Sequence, residues 1–152
     1  MRESKNVDGS EELSALIASY RAFVTYVPLQ TEVAIFDLIS LPKDALIYEI
    51  APRASLDPKT EASRALERIG TDPAFMFIPG RRFDVTGTRH GQGGGWYDRF
   101  LTFVPREWLR VGVCFEEQLS QEPLRREAWD QAMDVVCVVQ KESNRISRII
   151  TI

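Results

Sequence analysis

AFMFIPGRRFDVTGTRHGQGGGWYDRFLTFV, residues 74–104, decides how this chain is read. Its first seven residues are almost wholly apolar, as expected of a short strand buried on both faces of a sheet. Its last ten, GWYDRFLTFV, open a helix. Between them lies a loop with Gly87, Gly91, Gly93, Gly94 and Gly95, five of the nine glycines in the chain. A strand, a loop and a helix form the working unit of an α/β sheet, in which ligands bind outside the carboxyl ends of strands. Glycine reaches φ values closed to other residues and lets a ligand approach the backbone. A run of N–H groups leading into a helix suits an anion. Arg81, Arg82, Arg89 and Arg99 face only Asp84 and Asp98 between residues 81 and 99, so four positive and two negative charges leave a local +2 in a chain of net charge −3. The loop lacks the G-K-[ST] of a Walker loop and the G-x-G-x-x-G of a dinucleotide fingerprint. From these residues alone, a phosphate or nucleotide cradle and a structural hinge both stay open.

The rest of the chain fits the same architecture. Residues 10–19 predict a helix with Ser10 as N-cap and Leu13, Leu16 and Ile17 at helical spacing. RAFVTYVP reads as a strand ended by Pro28, and residues 31–40 place Val33, Phe36, Leu38 and Ile39 on one helical side. ALIYEI is a second strand. SLDPKTEASRALERIG predicts a helix with Asp57 as cap, Pro58 in the first turn and Gly70 beyond the last. RVGVCF and DVVCVVQ are buried strands, and RISRIITI is an edge strand. Alternating strands and helices imply helices on both faces of the sheet.

Composition narrows the class. The 152 residues suit one domain, expected over residues 11–152 behind a polar tail at 1–10. A net charge of −3 argues against nucleic-acid binding through general electrostatics. Cys114 and Cys137 sit in apolar runs and read as small core residues, consistent with a reducing cytoplasm rather than a disulfide framework. The sequence has no membrane-length apolar run, and its first residues lack the apolar core of a signal peptide.

The segment IPGRRFDVTGTRHGQGGGWYDRFL resembles the signature of the 5-formyltetrahydrofolate cyclo-ligase family. Pro79, Gly80, Phe83, Asp84, Gly87, Arg89, Gly91, Gly93, Gly95, Tyr97, Asp98 and Arg99 match it. VGVCFEEQL is similar to the family's F-x-x-Q-L strand through Phe115, Gln118 and Leu119. EPLRREAWDQAMDVVCVV resembles its P…D-x-x-x-D segment through Pro123, Asp130 and Asp134, and YVPLQTEV its substrate-contacting segment through Glu32. Trp96 stands where tyrosine is commoner, and Gln92 where a basic or aromatic residue is common.

The resemblance implies a three-layer α/β/α sandwich around a mainly parallel sheet, of the kind also found in CoA-transferases and sugar-phosphate isomerases. It implies conversion of 5-formyltetrahydrofolate and ATP to 5,10-methenyltetrahydrofolate, ADP and phosphate, with Mg²⁺ required. It assigns ATP binding to Arg89, Gly91, Gln92, Gly93, Gly94, Gly95, Trp96 and Tyr97, with Arg89 also catalytic. It assigns folate contact to Glu32, Trp96 and Tyr97, and the metal to Asp98 and Asp130. The expected partners are small molecules, with neither nucleic acid nor membrane, and the expected state is a monomer or homodimer. The family also has a basic N-terminal helix that clamps ATP and a folate-holding aromatic in its middle segment. Here Arg2 and Lys5 lack helical spacing, and residues 51–73 contain no aromatic. Arg125, Arg126, Lys141, Arg145 and Arg148 are the candidate replacements for the missing cation. A non-catalytic relative that binds nucleotide or a folate-like ligand is the alternative. His90, Asp134, Trp108 and Trp129 read as structural or rim residues, and Arg81 and Arg82 as surface charges.

Overall fold

The apolar run AFMFIP needs a packed layer on each face, and the fold supplies both. The computed structural model describes residues 9–52 and 56–152. In chain order the elements are α1 (Gly9–Ile17), β1 (Ala22–Tyr26), β2 (Leu46–Ile50), α2 (Pro58–Ile69), β3 (Ala74–Pro79), β4 (Arg82–Phe83), β5 (Arg89–His90), α3 (Trp96–Thr102), β6 (Leu109–Phe115), β7 (Val135–Gln140) and β8 (Arg145–Thr151). Every residue of β3 is buried.

Six strands form one sheet in the order β2-β1-β3-β6-β7-β8. All neighbours run parallel except β8, which returns antiparallel to β7 at the edge. On one face, Leu13 and Ile17 of α1 pack with Phe23, Phe75, Val111 and Ile146. On the other, Ala62, Ala65 and Ile69 of α2 and Phe100 and Leu101 of α3 pack with Val24, Met76 and Cys114. This is the expected three-layer α/β/α arrangement around a mainly parallel sheet. The chain steps from β1 outward to β2, then crosses to β3 on the other side of β1. That reversal opens a crevice at the carboxyl ends of β1 and β3, where open α/β sheets hold ligands.

Punctuation read from sequence is accurate at α2. Asp57 accepts from the Thr60 amide at 3.0 Å and from its hydroxyl at 2.7 Å. Pro58 begins the helix, and Gly70 follows it at φ 75°. Two expectations fail. Ser10 lies inside α1, which already includes Gly9, rather than capping it; Gly9 packs so closely on β8 that a Cβ there would stand 2.8 Å from Ile146. Residues 31–40 form no α-helix but a single 3-10 turn, Ile35–Asp37. Val33 reaches the core from the irregular stretch before that turn and Ile35 from its first residue, so burial of two side chains does not require an α-helix. The region joining β6 to β7 is likewise irregular apart from the 3-10 turn Glu116–Gln118. Residues 1–8 of the expected polar tail, with Arg2 and Lys5, lie outside the described residues.

Candidate active site

Pro79 at the end of β3 turns the chain into a feature invisible in the sequence pattern, the short antiparallel β4–β5 hairpin. The hairpin brings Arg89 back to the end of β3. Arg89 is only 7% exposed, and its Nε donates to the Pro79 carbonyl at 2.6 Å. Its guanidinium carbon lies 4.8 Å from the Tyr97 ring centroid. Burial lowers the Arg89 pKa, against the opposing influence of Tyr97, Asp98, Glu32 and Asp130. Gly91 makes room for this cation, since a Cβ there would stand 2.9 Å from Nη2 of Arg89.

The glycines after Gly91 differ in kind. Gly93 and Gly95 hold φ of 114° and 68°, which L side chains rarely adopt, whereas Gly94 has open space and no such φ. Gly95 precedes α3, and the Gly94 carbonyl accepts from Arg99 at 2.8 Å. Trp96 lies flat against Phe100, donates Nε1 to the Leu56 carbonyl at 3.1 Å and meets Tyr97 edge-on. Both aromatics are therefore braced walls. Burial pushes the Tyr97 hydroxyl well above its ordinary pKa.

Asp98 follows on α3. Its Oδ1 accepts from the Gln131 amide at 2.9 Å, and Oδ2 of Asp130 accepts from the Glu127 amide at 2.8 Å. One oxygen of each carboxylate stays outside these bonds. Burial raises the Asp98 pKa, and the adjacent Asp130 carboxyl raises it further. Two neighbouring carboxylates with oxygens to spare suit Mg²⁺, which takes one or two protein carboxylates and fills its shell with phosphate oxygens and water. Among the described residues no group of three His, Cys, Asp or Glu side chains gathers as a complete metal cage.

A cavity of about 610 Å³ joins these parts. Its walls include all eleven residues singled out from sequence: Glu32, Arg89, Gly91, Gln92, Gly93, Gly94, Gly95, Trp96, Tyr97, Asp98 and Asp130. Glu32 comes from the loop after β1, where its Oε1 accepts from the Leu29 amide at 2.9 Å. Tyr26, Leu29 and Ile50, which no sequence motif singles out, give the cavity an apolar side, and Arg81 and Trp129 also line it. Arg81 is exposed, as expected of a surface charge, and it also lines the cavity. Trp129, 66% exposed, stands at the wall beside Asp130. The signal for both was adjacency: each touches a matched motif in sequence.

The proposed replacement cations do not line the cavity. Arg126 is bound to Thr86 and Thr88, Arg125 pairs with Glu127, and Lys141 pairs with Glu117. Arg145 and Arg148 lie on β8, at the far edge of the sheet from β1. Other motif residues hold the scaffold. Asp84 accepts from the amides of Thr86, Thr88 and Leu124. Gln118 accepts from the Phe115 amide and donates to the Gly80 carbonyl. His90 bonds the Arg125 carbonyl at 2.6 Å, as a satisfied histidine does.

Comparison with known proteins bears on this geometry. Residues 24–139 match the profile of the 5-formyltetrahydrofolate cyclo-ligase family. The chain belongs to that family. Its relatives include the 5-formyltetrahydrofolate cyclo-ligase of Mycoplasma genitalium, 26% identical over 114 residues that make up 73% of this chain and 68% of the relative. The Saccharomyces cerevisiae cyclo-ligase is 38% identical over 69 residues, 41% of this chain but 32% of the yeast protein. Among solved structures, the 5,10-methenyltetrahydrofolate synthetase of Mycoplasma pneumoniae superposes with a TM-score of 0.57 at 16% identity, over 84% of this chain and 80% of that one. The Aquifex aeolicus synthetase gives 0.56 at 22% identity, over 92% and 80%. These two share the cyclo-ligase fold with the present chain. The family match begins inside β1 and ends inside β7, so it takes in the whole glycine loop and both carboxylates.

Proposed function

We propose that this chain is a 5-formyltetrahydrofolate cyclo-ligase, acting as one domain over residues 11–152. It converts 5-formyltetrahydrofolate to 5,10-methenyltetrahydrofolate as ATP is split to ADP and phosphate. The observation that carries the reading is that all eleven residues the family resemblance assigns to ligands line one cavity at the strand-order reversal. They come from three stretches of chain: the loop after β1, residues 89–98 and Asp130. The volume of about 610 Å³ lies in the range of small-molecule sites.

The formyl oxygen takes the terminal phosphoryl group of ATP. N10 of the folate then bonds to the activated carbon and loses its proton, and phosphate departs with the former formyl oxygen. Phosphoryl transfer asks the protein chiefly for positioning and charge neutralisation. The backbone from Gly91 to Gly95, with Gln92, lies along the phosphates, close because no Cβ intervenes at four of the five positions. Arg89 is held by Pro79 and Tyr97 before substrate arrives, so its charge needs no reorganisation during transfer. Glu32 holds the folate, and Trp96 and Tyr97 wall the two substrates together. Asp98 and Asp130 would hold Mg²⁺, which supplies neutralisation of phosphate charge when bound.

The test is direct. Protein, ATP, Mg²⁺ and 5-formyltetrahydrofolate are mixed, and the absorbance of the methenyl product is followed. Product formation that requires ATP and falls at least about a hundredfold in Arg89→Met supports the assignment. Binding of both substrates without product would make the chain a non-catalytic relative, and no binding of either would sink the proposal.

A further inference from the structure

Arg110 is buried on β6, 3% exposed, although its guanidinium has no carboxylate partner among the described residues. Nη1 donates to the Gln131 side-chain oxygen at 2.8 Å, and Nη2 reaches the Leu101 carbonyl at 3.4 Å. Nε has no partner in the described structure. A buried cation on neutral acceptors is poor value for stability alone, since well-packed apolar residues commonly serve as well or better. Its geometry points elsewhere. Leu101 lies on α3, one turn beyond Asp98. Gln131 follows Asp130, and its amide is the donor that holds Asp98 at 2.9 Å. A closed circuit results: Asp98 to the Gln131 backbone, Gln131 side chain to Arg110, Arg110 to Leu101, and α3 back to Asp98.

We propose that Arg110 is a positioning residue that sets the spacing of the Asp98–Asp130 carboxylate pair. It ties α3, which carries Asp98, to the irregular segment that carries Asp130. That segment has no helix or strand of its own to hold it. Arg110 is itself anchored, because its amide donates to Asp134 at 2.9 Å and its carbonyl accepts from the Asp134 amide at 2.8 Å. The inference rests on the assignment of Asp98 and Asp130 to Mg²⁺ in the proposed function. Residues that orient metal-holding side chains commonly alter metal affinity by one or two orders of magnitude.

The experiment titrates Mg²⁺ into protein saturated with a non-hydrolysable ATP analogue and reads heat and thermal shift. Analogue binding without Mg²⁺ is measured alongside. Arg110→Met and Gln131→Ala are each expected to weaken Mg²⁺ binding about tenfold while leaving Mg²⁺-free analogue binding unchanged. The double variant is expected to be no worse than the worse single one, since both cut the same circuit. Arg110→Lys keeps the charge but not the fork, and serves if Arg110→Met does not fold. Variants that bind Mg²⁺ like wild type, or that lose Mg²⁺-free binding equally, overturn this proposal alone. A wild-type chain that binds no Mg²⁺ with the analogue overturns it together with the metal assignment.

Discussion

At the scale of single residues, the glycine loop is not one thing repeated. Gly91 yields space to Arg89, Gly93 and Gly95 supply backbone angles, and Gly94 does neither. These differences allow a ligand cradle and a hinge to be told apart by substitution. Gly93→Ala forces an alanine into a φ of 114° and is expected to lower stability by about 1–3 kcal/mol. Gly94→Ala meets no atom within 4 Å and is expected to leave the melting temperature unchanged. If phosphate lies along this backbone, the same methyl group is in its way, and affinity for an ATP analogue falls about tenfold, a loss near 1.4 kcal/mol. Calorimetric melting and analogue titration on the two variants check both halves. Unchanged analogue affinity in Gly94→Ala would leave the loop as a hinge. Sequence showed where the glycines are, but not which contact each one makes possible.

Among elements, the least regular ones depend most on side-chain bonds. The turn at residues 84–88 and the segment after β6 are joined by Asp84, which is 1% exposed. Burial opposes ionisation of Asp84, yet the donors from Leu124, Thr86 and Thr88 outweigh it and hold the carboxyl below its ordinary pKa. The sign of the pH effect follows. A depressed pKa in the folded state means the unfolded chain binds the proton more readily, so stability rises with pH between the two values. The contribution is complete above the unfolded value near 3.9 and disappears as pH falls through the lower folded value. Asp84→Asn is therefore expected to lose about 3 kcal/mol at neutral pH, by leaving amide donors poorly matched. The gap from wild type should narrow below about pH 4, as urea unfolding across pH will read. A gap that stays constant down to pH 2 would contradict the role given to the charge. In α2, by contrast, Asp57, Pro58 and Gly70 announce both helix ends from sequence, because capping is satisfied within a few residues of chain.

For the whole molecule, the sheet decides which layer each strand residue faces. Cys114 and Cys137 lie on the paired strands β6 and β7, but Cys137 registers with Val113 rather than Cys114. Successive side chains on a strand alternate between faces, so one thiol packs with α2 and α3 and the other with α1. Burial pushes both thiols up to about 12. Neither is expected to react with a maleimide in the folded protein at neutral pH, and both should label once urea unfolds it, as mass spectrometry will count. Labelling of the folded chain at the unfolded rate would contradict this burial. The sequence by itself determined the apolar strands, the capped helix α2, the glycine loop and the family signature, because those signals lie in spacing and in local hydrogen bonds. It led to eleven of the cavity's residues through the family resemblance, without showing that they meet. Only the tertiary structure decided that residues 31–40 reach the core without an α-helix, that Arg81 and Trp129 line the cavity, and that Arg110 bonds both Gln131 and the Leu101 carbonyl. Those outcomes depend on strand order and on contacts between segments far apart in the chain, which no local pattern encodes.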